Sequence, residues 1–371
     1  MPSRAPAPGM PGRAPGRSGP ALAAAALLFV ACGGDGGTGP IASPSPPART
    51  YAMGWAPSLP RPEEGLFFQV VDSMARVAEV TIIQQAAPWP ELLSGAPMDS
   101  LVADRGGLAD FLRGKGLDIV FLVDPLDGLD RRKEPPELTS LGHSILEPPI
   151  RALHDEWVRR IAQRVHPEYM GLASEVNTLA ARGDSTLFAA IEDMINTLAP
   201  QVRQLSPGTQ VFVSFQVDEA NGFLGAESFD HFALIDDFDI DALGLSSYPV
   251  FAFDTPAEVP DDYLARFDQA TDLPLIMVEG GWSSRNTQLL QATPQEQVDY
   301  FRRYETLMDG VGAKLWVLLT FTDLDIDSLG LPPDRADALS NFAFMGIMDV
   351  DLRRKPSYAE WQRIFDRPRV P

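Results

Sequence analysis

Two glutamates in this chain stand where an acid is costly unless it is used. Glu279 ends the run Leu273-Pro274-Leu275-Ile276-Met277-Val278 and is followed by Gly280-Gly281-Trp282. A continuous apolar run reads as a strand buried on both faces, as in parallel sheets, and a carboxylate at its tip is expensive to bury without a partner. Glu175 ends a second short apolar stretch, Tyr169–Ser174. Two facing carboxylates suit glycoside hydrolysis, in which one protonates the leaving oxygen and the other attacks the anomeric carbon. A separation of ~5–5.5 Å gives retention, and ~6.5–9.5 Å leaves room for a water and gives inversion.

The elements that must position this pair alternate between β-like and helix-like segments. Strands are predicted at Tyr51–Trp55, Val80–Gln84, Asp118–Val123, Tyr169–Ser174, Gln210–Gln216, Ala242–Ser247, Leu273–Glu279 and Lys314–Thr320. Helices are predicted between most of them. Glu63–Ala78 places Phe67, Val70, Met74 and Val77 on one face at spacings of three and four. Asp184 is a plausible N-cap for a helix from Ser185 to Leu205, and Thr293-Pro294-Gln295-Glu296 is a capping box with proline at the first helical position. Eight strands with intervening helices predict one α/β domain, a (β/α)8 TIM barrel over 51–371. A doubly wound open sheet is the competitor, but no GxGxxG or P-loop follows an early strand. In a barrel, strands four and seven lie on opposite sides, so Glu175 and Glu279 face each other across the mouth, where catalytic residues of this architecture sit.

The first fifty residues are a different material. Residues 1–31 carry Arg4, Arg13 and Arg17 without an acid, then an apolar run from Ala21 to Ala31, and read as a signal peptide. Cys32, the only cysteine, follows a small residue and resembles the lipidated cysteine of a bacterial lipobox, although Phe29 stands where that pattern prefers leucine. This resemblance implies cleavage before Cys32 and an extracytoplasmic chain held to the cell-envelope membrane by lipid. Residues 32–50, rich in Gly, Pro and Ser, read as a tether. With one cysteine the domain has no internal disulfide and depends on its core.

The charge is −21, from 51 acidic and 30 basic residues. Such a surface repels nucleic acid and anionic headgroups and is compatible with a neutral sugar. The histidines His143, His154, His166 and His231 have no ligand spacing, no HExxH is present, and the Asp236–Asp241 acidic run lacks EF-hand spacing, so no metal or other cofactor is expected.

Ser174-Glu175-Val176-Asn177 and Glu279-Gly280-Gly281-Trp282 together resemble the strand-four and strand-seven motifs of clan A barrel glycoside hydrolases. So do Gly244-Leu245-Ser246-Ser247-Tyr248-Pro249 and the ending Phe344-Met345-Gly346-Ile347, Lys355-Pro356-Ser357-Tyr358 and Trp361. Within the clan the endo-β-1,4-galactanase group, family 53, is the nearest likeness. The resemblance implies a retaining glycosidase with Glu175 as acid/base, Glu279 as nucleophile and Tyr248 hydrogen-bonded to the nucleophile. The clan usually has Asn before the acid/base, contacting the sugar 2-hydroxyl. Ser174 departs from that and leaves a second reading open: a non-catalytic carbohydrate-binding lipoprotein on a degenerate glycosidase barrel.

Further substrate contacts are expected at strand ends. Trp55, Trp89 and Trp282 are candidate sugar-stacking platforms or ordinary packing, and Gln85, Asp124, Asn177, Gln216 and Asp218 are candidate partners for hydroxyls. The segments Asp124–Pro149 and Val217–Asp241 are long enough to shape a site.

Overall fold

The computed structural model describes residues 46–225 and 228–370. The expected signal peptide, the lipidated Cys32 and most of the tether lie outside the described residues. Residues 46–50 belong to the folded unit, which begins at Pro46. There Arg49 is buried, paired with Glu79, and its backbone bonds Pro368 and Val370. The tether boundary expected at residue 50 therefore moves to before Pro46.

The sheet is a closed barrel of eight parallel strands in sequence order: β1 Ala52–Trp55, β2 Val80–Gln85, β3 Asp118–Val123, β4 Tyr169–Gly171, β5 Gln210–Gln216, β6 Ala242–Ser247, β7 Leu275–Gly280 and β8 Leu315–Leu318. Helices run between them. In order they are α1 Leu66–Met74, α2 Trp89–Leu93, α3 Met98–Arg113, α4 Pro136–Thr139, α5 Pro148–Val165, α6 Val176–Arg182, α7 Ser185–Leu205, α8 Val217–Ala220, α9 Ala265–Ala270, α10 Pro294–Gly310, α11 Pro333–Ser340 and α12 Pro356–Phe365. The (β/α)8 barrel is the expected fold.

Local sequence accounts for the long helices. The Asp184 carboxylate accepts from Thr186 N and Leu187 N at 2.8 and 3.0 Å, capping α7. The capping box of α10 forms reciprocally, Glu296 N to Thr293 Oγ1 at 3.2 Å and Thr293 N to Glu296 Oε2 at 2.6 Å.

Period-two alternation divides each strand between two cores. Ala52, Val80, Ile82, Val120, Leu122, Phe212, Ala242, Ile276, Val278, Leu315 and Val317 fill the barrel interior. The intervening residues, among them Met53, Trp55, Phe121, Met277 and Trp316, pack outward with the helices. Carried one step beyond Val80 and Ile82, the alternation brings Gln84 to the mouth. The same step beyond Val120 and Leu122 brings Asp124 there.

Strands β4 and β7 differ most tellingly from expectation, each for a physical reason; β1, β2 and β8 shift by one or two residues at their ends. Strand β4 stops at Gly171, because the chain turns so that Glu175 lies in the left-handed region with φ 49°. Strand β7 begins after Pro274, which has no N–H to give the ladder; its carbonyl accepts from Leu243 N at 3.0 Å. Strand β7 also carries an extra residue. Leu245 pairs with Met277, but Ser246 pairs with Glu279, which leaves Val278 unpaired against β6.

Candidate active site

That bulge aims the site. Val278 points inward, so unbroken alternation would send Glu279 outward among the helices. The extra residue re-aims it into the barrel mouth, which is the use such bulges have beside active sites. Glu175 reaches the mouth by the opposite device, a strained backbone. A non-glycine residue in the left-handed region persists only where its surroundings hold it, and such residues cluster at functional sites. Its N–H donates to Ser214 Oγ of β5 at 3.0 Å, and Ser214 in turn meets Ser246 of β6 at 3.2 Å.

Between the two carboxylates lies Arg131, from the long segment after β3. Its Nε is 3.6 Å from Glu175 Oε2, its Nη2 is 3.3 Å from Glu279 Oε2, and its Nη1 is 2.5 Å from Asp124 Oδ2. Two nitrogens of one planar guanidinium thus hold both acids. Their nearest oxygens are therefore at most ~9 Å apart, a bound that admits both the ~5–5.5 Å and the ~6.5–9.5 Å spacing of glycosidase carboxylate pairs.

The two acids have different environments. Burial is the main influence on the Glu175 carboxyl and raises it to about 8; Arg131 pulls it down, and Glu279 pushes it further up. Glu279 accepts from Tyr248 Oη at 2.7 Å, from Arg131, and from Gln84 Nε2 at 3.4 Å, all donors to a carboxylate. Burial lifts the Tyr248 hydroxyl well above its ordinary range, and the charge of Glu279 adds to this, so the phenol stays a donor. Burial opposes the Arg131 charge, but Asp124, Glu279 and Glu175 outweigh it and keep the guanidinium protonated. Tyr248→Phe removes the shortest of these bonds and is expected to lower kcat by ~10–100-fold, checked by steady-state kinetics on an aryl glycoside.

A cavity of about 260 Å³ opens above the pair, lined by Arg131, Glu175, Thr178, Glu219, Tyr248, Phe342 and neighbours. Tyr248, Phe251 and Phe342 form one aromatic wall, with ring centroids 5.1 Å apart for Tyr248–Phe342 and 5.5 Å for Phe251–Phe342. Glu219 adds a third acid, which accepts from Thr178 Oγ1 at 2.6 Å and pairs with Arg182. Among the described residues no group of three His, Cys, Asp or Glu side chains is placed to hold a metal ion.

Several expected contacts are corrected. Trp55, Trp89 and Trp282 are buried to within 1% and present no face to a sugar. Alternation turns Trp55 outward onto Trp361, Trp89 stacks on His154, and Trp282 packs against Tyr300. The half-buried aromatic rings that line the cavity are instead Phe251 and Phe342. Asn177 is fully buried and structural; its amide bonds the Gln216 backbone at 2.8 and 3.1 Å, locking α6 to the end of β5. Ser174 is buried, its hydroxyl accepting from Gln84 Nε2 at 3.5 Å, so it offers no hydroxyl to a ligand. Gln85, one step out of register, faces away from the mouth, and Gln84 takes its place. Asp124 is engaged by Arg131. Gln216 lines the cavity, but its amide is committed to Asp218 at 3.1 Å and Glu219 N at 2.6 Å. Asp218 lies beneath the site, where it accepts from Tyr248 N at 2.9 Å and from the Tyr263 hydroxyl.

Gln84, Arg131, Glu219 and Phe342 were not read from sequence. Alternation within β2 points to Gln84; no local pattern points to the other three.

No protein-family model and no curated protein sequence matches this chain. Its fold is that of the (β/α)8 glycoside hydrolases. An exo-β-1,4-mannosidase from Opitutaceae bacterium strain TAV5 superposes with a TM-score of 0.63 at 14% identity, covering 86% of this chain and 59% of that one. A GH5_18 enzyme from Bifidobacterium longum subsp. longum, solved with Manβ1-4GlcNAc, gives 0.62 at 15% identity, covering 87% and 80%. The GH53 catalytic domain of Ignisphaera aggregans gives 0.55 at 12% identity, covering 86% and 91%. The likeness to barrel glycoside hydrolases read from the short motifs, family 53 included, thus reappears as a likeness of fold.

Proposed function

We propose that this chain is a retaining glycoside hydrolase acting on an oligo- or polysaccharide, with Glu175 as acid/base and Glu279 as nucleophile. The observation that carries this is two carboxylates brought to one guanidinium at the barrel mouth, with environments that separate their roles. Glu175 keeps its proton through neutrality and gives it to the glycosidic oxygen as the C–O bond breaks. Glu279, bearing the Tyr248 hydroxyl on its other oxygen, attacks the anomeric carbon and forms the glycosyl ester. Glu175, now anionic, takes a proton from water, which opens the ester and regenerates both groups. Arg131 steadies the negative charge that moves between them. With Ser174 buried, the half-buried amide of Gln84, beside Glu279, is the group best placed for the sugar's 2-hydroxyl.

The pH profile tests the role of Glu175. Activity on an aryl glycoside is expected to fall as pH rises through about 8, where Glu175 loses its proton. The sign for stability is the same. A carboxyl whose folded pKa lies above the ordinary ~4.3 costs the fold stability as pH rises from the lower value to the higher. Glu175→Gln is therefore expected to raise Tm relative to wild type at pH 8–9 and to leave it unchanged near pH 4. An alkaline limb unmoved by Glu175→Gln in residual activity, with no pH-dependent gain in Tm, contradicts the assignment. Sugar binding by wild type without turnover of any glycoside favours the non-catalytic reading that Ser174 suggests.

A further inference from the structure

The walls of the cavity are unequal. Among the described residues it is lined from the segments after β3, β4, β5, β6 and β8 and by Glu279 of β7; from the ends of β1 and β2, Gln84 reaches Glu279 at 3.4 Å without forming a wall. Over that side runs a clasp. Asp127, in the segment after β3, takes Arg335 Nη1 on both carboxylate oxygens at 2.7 and 2.6 Å, and Arg335 belongs to α11 in the segment after β8. Strands β3 and β8 are separated in the ring by β1 and β2, so the ion pair spans their ends.

The clasp is built into the site. Asp127 is 7% exposed, its Oδ1 caps Leu129 N at 2.9 Å, and its carbonyl accepts from Arg131 Nη1 at 3.4 Å. The turn that holds Arg131 across the carboxylates is thus the one tied to α11. On the α11 side, the same segment carries Phe342 into the aromatic wall.

The opposite side, above β4 and β5, is different. Thr178 and Leu224 are half-buried and Arg182 is exposed. Glu175 rises from this side, so the leaving group that it protonates departs past these residues. The ends of β1 and β2, under the clasp, lie on the other arc of the ring between β4 and β7. A cavity of about 260 Å³ is below the ~300–1,000 Å³ of pockets that hold drug-sized ligands, which suits one ring and not a run of rings.

We propose that the sugar attacked by Glu279 lies toward the Asp127–Arg335 clasp and that the clasp makes this glycone end of the site blind, so that the enzyme removes single sugars from the non-reducing ends of glycan chains. The inference rests on the hydrolase reading above. Two-to-six-residue β-linked gluco-, manno-, galacto- and xylo-oligosaccharides, labelled at the reducing end, distinguish the two in one experiment on the wild-type chain. The expected early products are an unlabelled monosaccharide and a labelled chain shortened by one. Arg335→Ala and Asp127→Asn, which open the clasp from either side, are each expected to raise the early disaccharide-to-monosaccharide ratio about tenfold. Labelled fragments of several lengths appearing together from wild type overturn the blind site and leave the hydrolase reading standing. A ratio unchanged in both folded variants overturns the role of the clasp. No turnover of any of these oligosaccharides or of aryl monoglycosides overturns both readings.

Discussion

Glu279→Gln lowers kcat by at least ~10,000-fold on every substrate, because an amide in place of the attacking carboxylate cannot form the glycosyl ester. Tyr248, Arg131 and Gln84 all remain, and an amide of the same shape keeps two of the three contacts, so the loss reads chemistry and not folding. Glu175→Gln behaves differently, and the difference is diagnostic. A poor leaving group such as a sugar needs the proton and loses ~1,000-fold or more, whereas a dinitrophenolate leaves without it. With that leaving group the glycosyl ester accumulates, KM falls, and added azide restores turnover by attacking without base assistance. Steady-state kinetics across leaving groups, with and without azide, check both variants. Equal losses for good and poor leaving groups contradict the acid role of Glu175.

Arg131→Met is the second large effect. Removing a buried cation leaves Asp124, Glu175 and Glu279 facing one another without a counter-charge, and breaking a buried pair costs about 3–5 kcal/mol. The loss has a sign in pH. Burial already raises the Glu175 carboxyl in the folded chain and Arg131 lowers it, so without Arg131 it rises further and the variant loses stability as pH rises and recovers it in acid. The expected measurement is a Tm deficit that is large at pH 8 and shrinks toward pH 4. In wild type Arg131 holds Glu175 down, so the alkaline limb of activity moves up in the variant. A deficit equal at both pH values points to lost packing in place of lost charge.

The barrel and its acid pair were legible in the sequence because both follow from local regularity. Apolar runs recur with helical stretches between them, and Glu175 and Glu279 stand at the ends of two such runs. The same regularity, applied one residue further, separates Gln84 from Gln85 and turns Trp55 into the helix layer. Proximity to a strand end does not settle which side of the sheet a residue serves; register does. The β7 bulge is the instructive exception, since strict alternation would have sent Glu279 outward. Arg131 was not legible at all. Its neighbours in sequence, Asp130, Arg132 and Lys133, are ordinary loop charges, and only the turn fixed by Asp127 brings it between carboxylates drawn from strands four and seven. Phe342 is hidden in the same way, in a segment that reaches the cavity from β8.

The most direct measurement is to trap the glycosyl ester. Wild-type protein is incubated with 2-deoxy-2-fluoro glycosides of the sugars that it turns over, each carrying a dinitrophenyl leaving group, and then mapped by peptide mass spectrometry. One fluoroglycosyl group on Glu279, with activity lost in step, is the expected result. A label on another residue, or full activity and no label with a sugar that the enzyme hydrolyses, contradicts Glu279 as the nucleophile of a retaining pair.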